Sequence, residues 1–241
     1  MIYALNLESQ LVAVDSTSYF PKQATSLPNV GYQRTLTTEG ILNLKPTQIV
    51  GLESAGPPAT IQNLKDAGVP LQLFPDEFKL ETPTNRLLGI GKLFGKEKEA
   101  AALAKTIKEQ LQKLKINKTN IKVLFIYSRN PSSVFISGTG TAAHAMIELS
   151  GAKNAVSEFS EYKSLTSEAL VKANPDIILM PEKSASGFGG EKAIWDINGM
   201  EFTRAGKEKN FILVDDLLLL GFGPRLPLAL KTLNDRWKLI E

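Results

Sequence analysis

The chain has 241 residues, 43% of them hydrophobic, and a formal net charge of +3 from 28 basic and 25 acidic side chains. That size and apolar content suit one large domain or two lobes of about a hundred residues each, and a charge so nearly balanced, with no polybasic run, excludes nucleic acid as a partner. Cysteine is absent and histidine occurs once, at His144, which removes disulfides, thiolate metal sites, multi-imidazole zinc sites and a serine–histidine triad with a spare base. No apolar run, the Leu217–Leu220 cluster included, approaches the roughly 18 to 20 residues of a membrane-spanning helix.

In chain order, Met1–Asp15 reads as the tail of an amphipathic helix running into a strand at Leu11–Val14, and Asp15–Asn29 as a loop rich in Ser, Thr and Pro. Thr37 or Thr38 caps a short helix with Glu39 in its first turn and Ile41, Leu42 and Leu44 on its apolar face, and Pro46 ends it. Gln48–Leu52 is a strand, Thr60–Ala67 a helix opened by Gly56-Pro57-Pro58 and stopped at Gly68, and Val69–Phe74 a second strand. Strand, helix and strand in short units predict a parallel sheet.

Pro83–Lys115 is helical in pattern, with a first piece at Thr84–Leu93, a turn near Gly95 and a continuous helix at Lys96–Lys115. At 1.5 Å per residue the second piece spans about 30 Å, enough to bridge two lobes. The chain therefore divides into an N-terminal lobe, 1–83, a connecting helical segment, 84–116, and a C-terminal lobe, 117–241.

The second half resumes the alternation. Strands are predicted at Lys122–Tyr127 and Ser133–Ser137, then a helix at Ala142–Leu149 closed by Gly151. Ser164–Met180 echoes Thr35–Leu52: a cap, an acidic first turn, a short helix, a proline and a strand, so the halves read as pseudo-repeats. A glycine-rich loop at Ser186–Gly190, a helical turn at Ala193–Ile197, a strand at Phe211–Val214 and a last helix at Leu226–Leu239 complete the pattern.

Three stretches carry more than folding requires. Gly31-Tyr32-Gln33-Arg34 sets a phenol and a guanidinium in an exposed loop before a helix. Gly138-Thr139-Gly140-Thr141 precedes another helix; without a following lysine or a third glycine in dinucleotide spacing it is a turn, or a place where a ligand approaches Gly140 and Thr141 closely. Leu220-Gly221-Phe222-Gly223-Pro224-Arg225 is a stiff loop whose arginine sits at a helix start, where negative charge is preferred. Arg225 is a surface charge or a group that faces an anion.

The segments GYQRTLTTEGILNLKP, GTGTAAHAMIELSGAKNA, YKSLTSEALVKANPDIIL and DDLLLLGFGPR resemble, over nearly the whole chain, the periplasmic haem-binding proteins of bacterial ABC importers, relatives of the cobalamin- and siderophore-binding proteins. The resemblance implies an α/β fold of two parallel-sheet lobes joined by one long rigid helix, with the ligand cleft between them. It implies a periplasmic, monomeric carrier, not an enzyme, that binds haem b (iron protoporphyrin IX) and delivers it to an ABC permease dimer with its ATPase subunits. Tyr32, in a G-Y-x-R motif, corresponds to the axial ligand of the iron, and one glutamate on each lobe, Glu39 and Glu168, to the groups that meet permease arginines. Against this pattern the first strand is missing, with no signal peptide in the residues given, and His144 matches no standard ligand position.

The residues give a mechanism for that expectation. Ferric iron needs an axial donor, and this composition offers tyrosine, methionine or His144. A phenolate suits ferric iron, but a free phenol titrates near about 10, so Arg34 and Arg225 are expected either to stabilise the anion or to pair with haem propionates. Phe222 is expected to pack on the macrocycle. The alternative cargo is another chelate, a ferric siderophore or a corrinoid.

Overall fold

The computed structural model of the chain describes residues 1–130 and 133–240. It divides into two compact units, Met1–Glu77 with Thr84–Ala104, and Phe78–Pro83 with Lys105–Glu241.

The first unit is built on a two-stranded parallel sheet, β1 (Ile49–Leu52) and β2 (Leu71–Phe74), with Ile49 opposite Leu71 and Leu52 opposite Phe74. Before β1 stands the short helix α1 (Thr38–Leu42), capped by the Thr37 hydroxyl, which accepts the Gly40 N–H at 3.2 Å. Between the strands α2 (Pro58–Asp66) starts with proline, whose fixed φ suits a first helical turn, and buries Leu64. After β2 come α3 (Thr82–Leu93) and α4 (Glu97–Lys113), separated by Gly95 at φ +65°. The strand ends are tied by Asp76, which accepts the Ser54 N–H at 2.6 Å and its hydroxyl at 2.8 Å. Nearby, the buried Arg86 donates to the Pro75 carbonyl at 2.8 Å. Burial pulls the Arg86 pKa below its ordinary value, against the opposing pull of Asp76 and Glu77.

The start of the chain differs from expectation. In place of a helix and a strand there are two 3-10 turns, Tyr3–Leu5 and Glu8–Gln10, and Val14 makes one isolated bridge to Asn29. Asn6, in the left-handed region at φ 54°, ends the first turn before an α-helix can propagate.

The second unit has a six-stranded sheet in the order β6 (Tyr162–Ser164), β4 (Ser133–Ser137), β3 (Lys122–Asn130), β7 (Ile177–Pro181), β8 (Phe211–Val214), with β5 (Lys153–Asn154) also on β3. β3, β5, β7 and β8 pair in parallel, whereas β4 runs antiparallel to both β3 and β6. The expected parallel pairing holds for β3, β5, β7 and β8, and the antiparallel β4 makes the sheet mixed at one side. Strand alternation distributes its side chains. Val123 and Phe125 of β3 and Ile177 and Leu179 of β7 join one core with α5 (Ala142–Leu149) and α11 (Leu226–Trp237), while Leu124, Ile126, Ile178 and Met180 join a second core on the other face. Covered on both faces, β7 is apolar without alternation, as its sequence shows.

Around these strands lie α6 (Ser167–Ala173), α7 (Glu182–Phe188), α8 (Glu191–Trp195), α9 (Arg204–Glu208) and α10 (Asp216–Leu220). The expected glycine-rich loop at Ser186–Gly190 is mostly the end of α7: Ala185 and Phe188 bury its apolar face, and Gly189 at φ +107° stops it. Asp216, at the start of α10, is pushed above the ordinary carboxylate range by burial, although the Lys183 N–H at 3.2 Å and the charge of that lysine oppose the shift.

Candidate functional site

The Gly31–Thr35 stretch of the first unit is a tight turn closed by the Thr35 N–H on the Tyr32 carbonyl at 2.8 Å. It is anchored on both sides. The Gly31 carbonyl accepts the Ser16 N–H at 2.9 Å and the Gln33 carbonyl accepts the Gly56 N–H at 2.9 Å, while the Gly31 N–H donates to Asn29 Oδ1 at 2.7 Å. Gly31 itself has φ +90°, a conformation that side-chain-bearing residues rarely adopt, and a Cβ built on it meets nothing within 4 Å. Backbone geometry alone therefore accounts for this glycine, and the space beside it is open. Tyr32 is half-buried and Arg34 is exposed. A pinned backbone thus carries a phenol and a guanidinium two residues apart, next to the capped helix α1, whose first turn holds the exposed Glu39.

In the second unit the loop before α11 holds Arg225 and Phe222. Arg225 Nη2 donates to Asp215 Oδ1 at 3.2 Å, and the same carboxylate oxygen caps α10 by accepting the Leu218 N–H at 2.7 Å. Asp215 is the residue that sequence reasoning passed over; an aspartate immediately before the run Asp216–Leu220 is the capping signal that marks it. Phe222 is only 1% exposed and its ring lies 5.4 Å, tilted, from that of Phe78. Its side chain belongs to the core of its unit, so the structure does not present it as a surface for a macrocycle.

Gly140 and Thr141 occupy a separate loop with structural work of its own. A Cβ on Gly138 would stand 2.2 Å from the Phe159 carbonyl oxygen, and Gly140 has φ +77°. Thr141 is 2% exposed. Its hydroxyl accepts the His144 N–H at 3.0 Å, capping α5, and donates to the Gly138 carbonyl at 3.1 Å. These bonds leave that hydroxyl committed to the turn. His144 is half-buried, with Nδ1 3.2 Å from Asn154 Nδ2, whose other hydrogen goes to the Ser137 carbonyl at 2.9 Å. In that arrangement the imidazole accepts through Nδ1 and carries its proton on Nε2. Glu168 lies exposed in the first turn of α6, which Thr166 caps by accepting the Ala169 N–H at 3.1 Å, the same device as at Glu39. Among the described residues no group of three or more His, Cys, Asp or Glu is placed to hold a metal ion, and no helix is long and apolar enough to cross a membrane.

Comparison with known proteins places this architecture. The family model of the periplasmic binding proteins matches residues 1–217. Among solved structures, the periplasmic haem-binding protein RhuT of Roseiflexus sp. RS-1, in apo form, superposes with a TM-score of 0.93 at 33% identity, covering 99% of this chain and 94% of that one. BhuT, solved with two haems, gives 0.88 at 35% identity over 95% and 89% of the two chains. HutB of Vibrio cholerae, also a periplasmic haem-binding protein, gives 0.83 at 30% identity over 97% and 93%. Among curated sequences, the ABC transporter substrate-binding lipoprotein YvrC of Bacillus subtilis is 29% identical over 93% of this chain and 72% of its own length. A vitamin B12-binding protein of Pectobacterium carotovorum is 24% identical over 77% and 70%. The chain belongs to the periplasmic binding protein family, the substrate-binding components of ABC importers.

Proposed function

We propose that this protein is a haem carrier: it binds ferric haem b through the phenolate oxygen of Tyr32 and hands it to an ABC permease in the periplasm. The observation that carries the reading is the turn at Gly31–Thr35, which holds a half-buried phenol on a backbone anchored from both sides. Haem brings four nitrogen donors of its own and asks the protein for an axial one, which a single phenolate oxygen supplies. That the solved relatives at 30% identity and above are haem-binding proteins supports the same cargo.

Ligation releases the phenol proton, and Arg34 in the same turn is placed along the chain to favour the anion or to pair with a propionate. Arg225 is the second unit's candidate for a propionate, its guanidinium already oriented by Asp215. Glu39 and Glu168, exposed on capped helices of the two units, are the candidate contacts to the permease. The test is hemin titration followed in the visible spectrum. Wild type should give a high-spin ferric phenolate spectrum, and Tyr32→Phe should lose it while keeping the fold; an unchanged spectrum in the variant would refute the assignment.

A second reading, a corrinoid cargo, is favoured by the curated relatives named as vitamin B12-binding. Binding of cyanocobalamin, insensitive to Tyr32, with no hemin spectrum would establish it.

A further inference from the structure

The end of α4 and one face of α11 enclose a shallow groove of about 290 Å³ that the carrier reading does not use. Four lysines, Lys113, Lys115, Lys231 and Lys238, line it around a single aspartate, Asp235. Their local excess of three positive charges equals the formal net charge of the whole chain, +3, so the rest of the surface is balanced.

The groove stands on a fixed frame. Buried Asn234 donates through Nδ2 to the Asn117 carbonyl at 2.8 Å and the Ser150 carbonyl at 2.9 Å, and its Oδ1 accepts the Asn117 N–H at 3.3 Å. Trp237 Nε1 donates to Ser150 Oγ at 3.0 Å. Together these bonds hold the segment after α4 at a set distance from α11, so the lysines of the two elements share one face. Lys231 and Lys238 both reach Asp235, at 2.5 and 3.0 Å, which leaves one carboxylate for two ammonium groups. Each ammonium has three donors and no acceptor, so donors remain for oxygen anions. Leu239, 77% exposed, adds an apolar side chain immediately after Lys238. Lysines on a rigid frame, with an exposed leucine next in sequence to Lys238, suit a surface of phosphodiester head groups with hydrocarbon beneath, whose phosphates meet the ammonium donors and whose chains take up the apolar side chain.

We propose that this groove docks the protein on an anionic phospholipid bilayer, with lipid phosphates taking up the lysine donors that Asp235 leaves over. The experiment is co-sedimentation of the full chain with phosphatidylcholine vesicles, with and without phosphatidylglycerol, at low and high salt. Binding should require phosphatidylglycerol and vanish at high salt, where screening shortens the reach of surface charge. At roughly fivefold per lysine, Lys231→Gln with Lys238→Gln should lower partitioning by about 25-fold, and Lys113→Gln with Lys115→Gln, on the other element, by a similar factor. Asp235→Asn should act in the opposite direction and strengthen binding. Hemin titration and thermal melting of each variant serve as the fold control. Failure of wild type to bind anionic vesicles, equal binding to neutral ones, or wild-type binding by both lysine pairs would overturn the proposal. So would lysine-dependent capture of an acidic protein in the absence of any vesicle binding.

Discussion

Two glycine-bearing loops stand before threonine-capped helices in this protein, Gly31–Thr37 in the first unit and Gly138–Thr141 in the second, and they are built for opposite ends. At Gly31 the backbone is pinned while the space beside it is open, and the following tyrosine and arginine keep their functional groups at or near the surface. At Gly138 the Phe159 backbone and ring fill the space a side chain would occupy, and Thr141 is buried in its own hydrogen bonds. A glycine before a capped helix thus leaves open space beside it only where the neighbouring chain stays away.

The largest expected contrast is chemical. Tyr32→Phe should abolish the phenolate spectrum and weaken hemin binding by orders of magnitude, whereas Thr141→Ala should leave stoichiometry and spectrum as in wild type. A spectral change in the Thr141 variant would bring the second loop into the site and erase the distinction.

Next come the glycines themselves. Gly138→Ala places a methyl group 2.2 Å from a backbone oxygen and should cost about 3 kcal/mol of stability, at the upper end of the overpacking range. Gly31→Ala meets no neighbour and pays only for its positive φ, about 1–2 kcal/mol. Urea melts of the two variants rank them directly, and the reverse order would mean that the Phe159 segment yields and that the second loop is the looser one. The caps should separate less. Thr141→Ala, at a buried cap, is expected to lose about 1–2 kcal/mol, and Thr37→Ala, at an exposed one, about 0.5–1 kcal/mol.

Much of this was legible before the structure, for physical reasons that differ by element. β7 and β8 were read closely because a short apolar run with a polar residue or a proline at its ends has few other outcomes, and α5 because a threonine cap and a glycine stop bracket it. The antiparallel pairing of β4 was missed, since strand direction is set by the neighbour a strand finds and not by its own residues. α9 and α10 were missed because five residues carry too little periodicity to register unless the cap is read, as at Thr37, and the caps Thr203 and Asp215 were not. Of the candidate site, the turn at Tyr32 was visible as a residue choice that folding did not need. The burial of Phe222 was not, because an aromatic ring in a glycine-rich loop reads as presented to ligand until its partner Phe78, distant in sequence, is known.

The smallest effect concerns Glu39 and Glu168, the point at which the two units are most alike. Each glutamate lies in the first turn of a short helix behind a threonine cap, where a carboxylate complements the helix dipole by about 0.3–1 kcal/mol. Both side chains are exposed, so capping and docking are compatible on the same residue, and only their failures differ. If dipole stabilisation were the whole role, Glu39→Gln and Glu168→Gln would each lower the melting temperature slightly and leave haem delivery intact. Under the docking reading the binding spectrum stays normal while transport by the reconstituted importer falls, and falls furthest in the double variant because each unit has lost its charge. Thermal melting, hemin titration and uptake measured on the same four proteins, wild type included, separate the two roles. Full uptake with the folded double variant would leave the pair as helix caps alone.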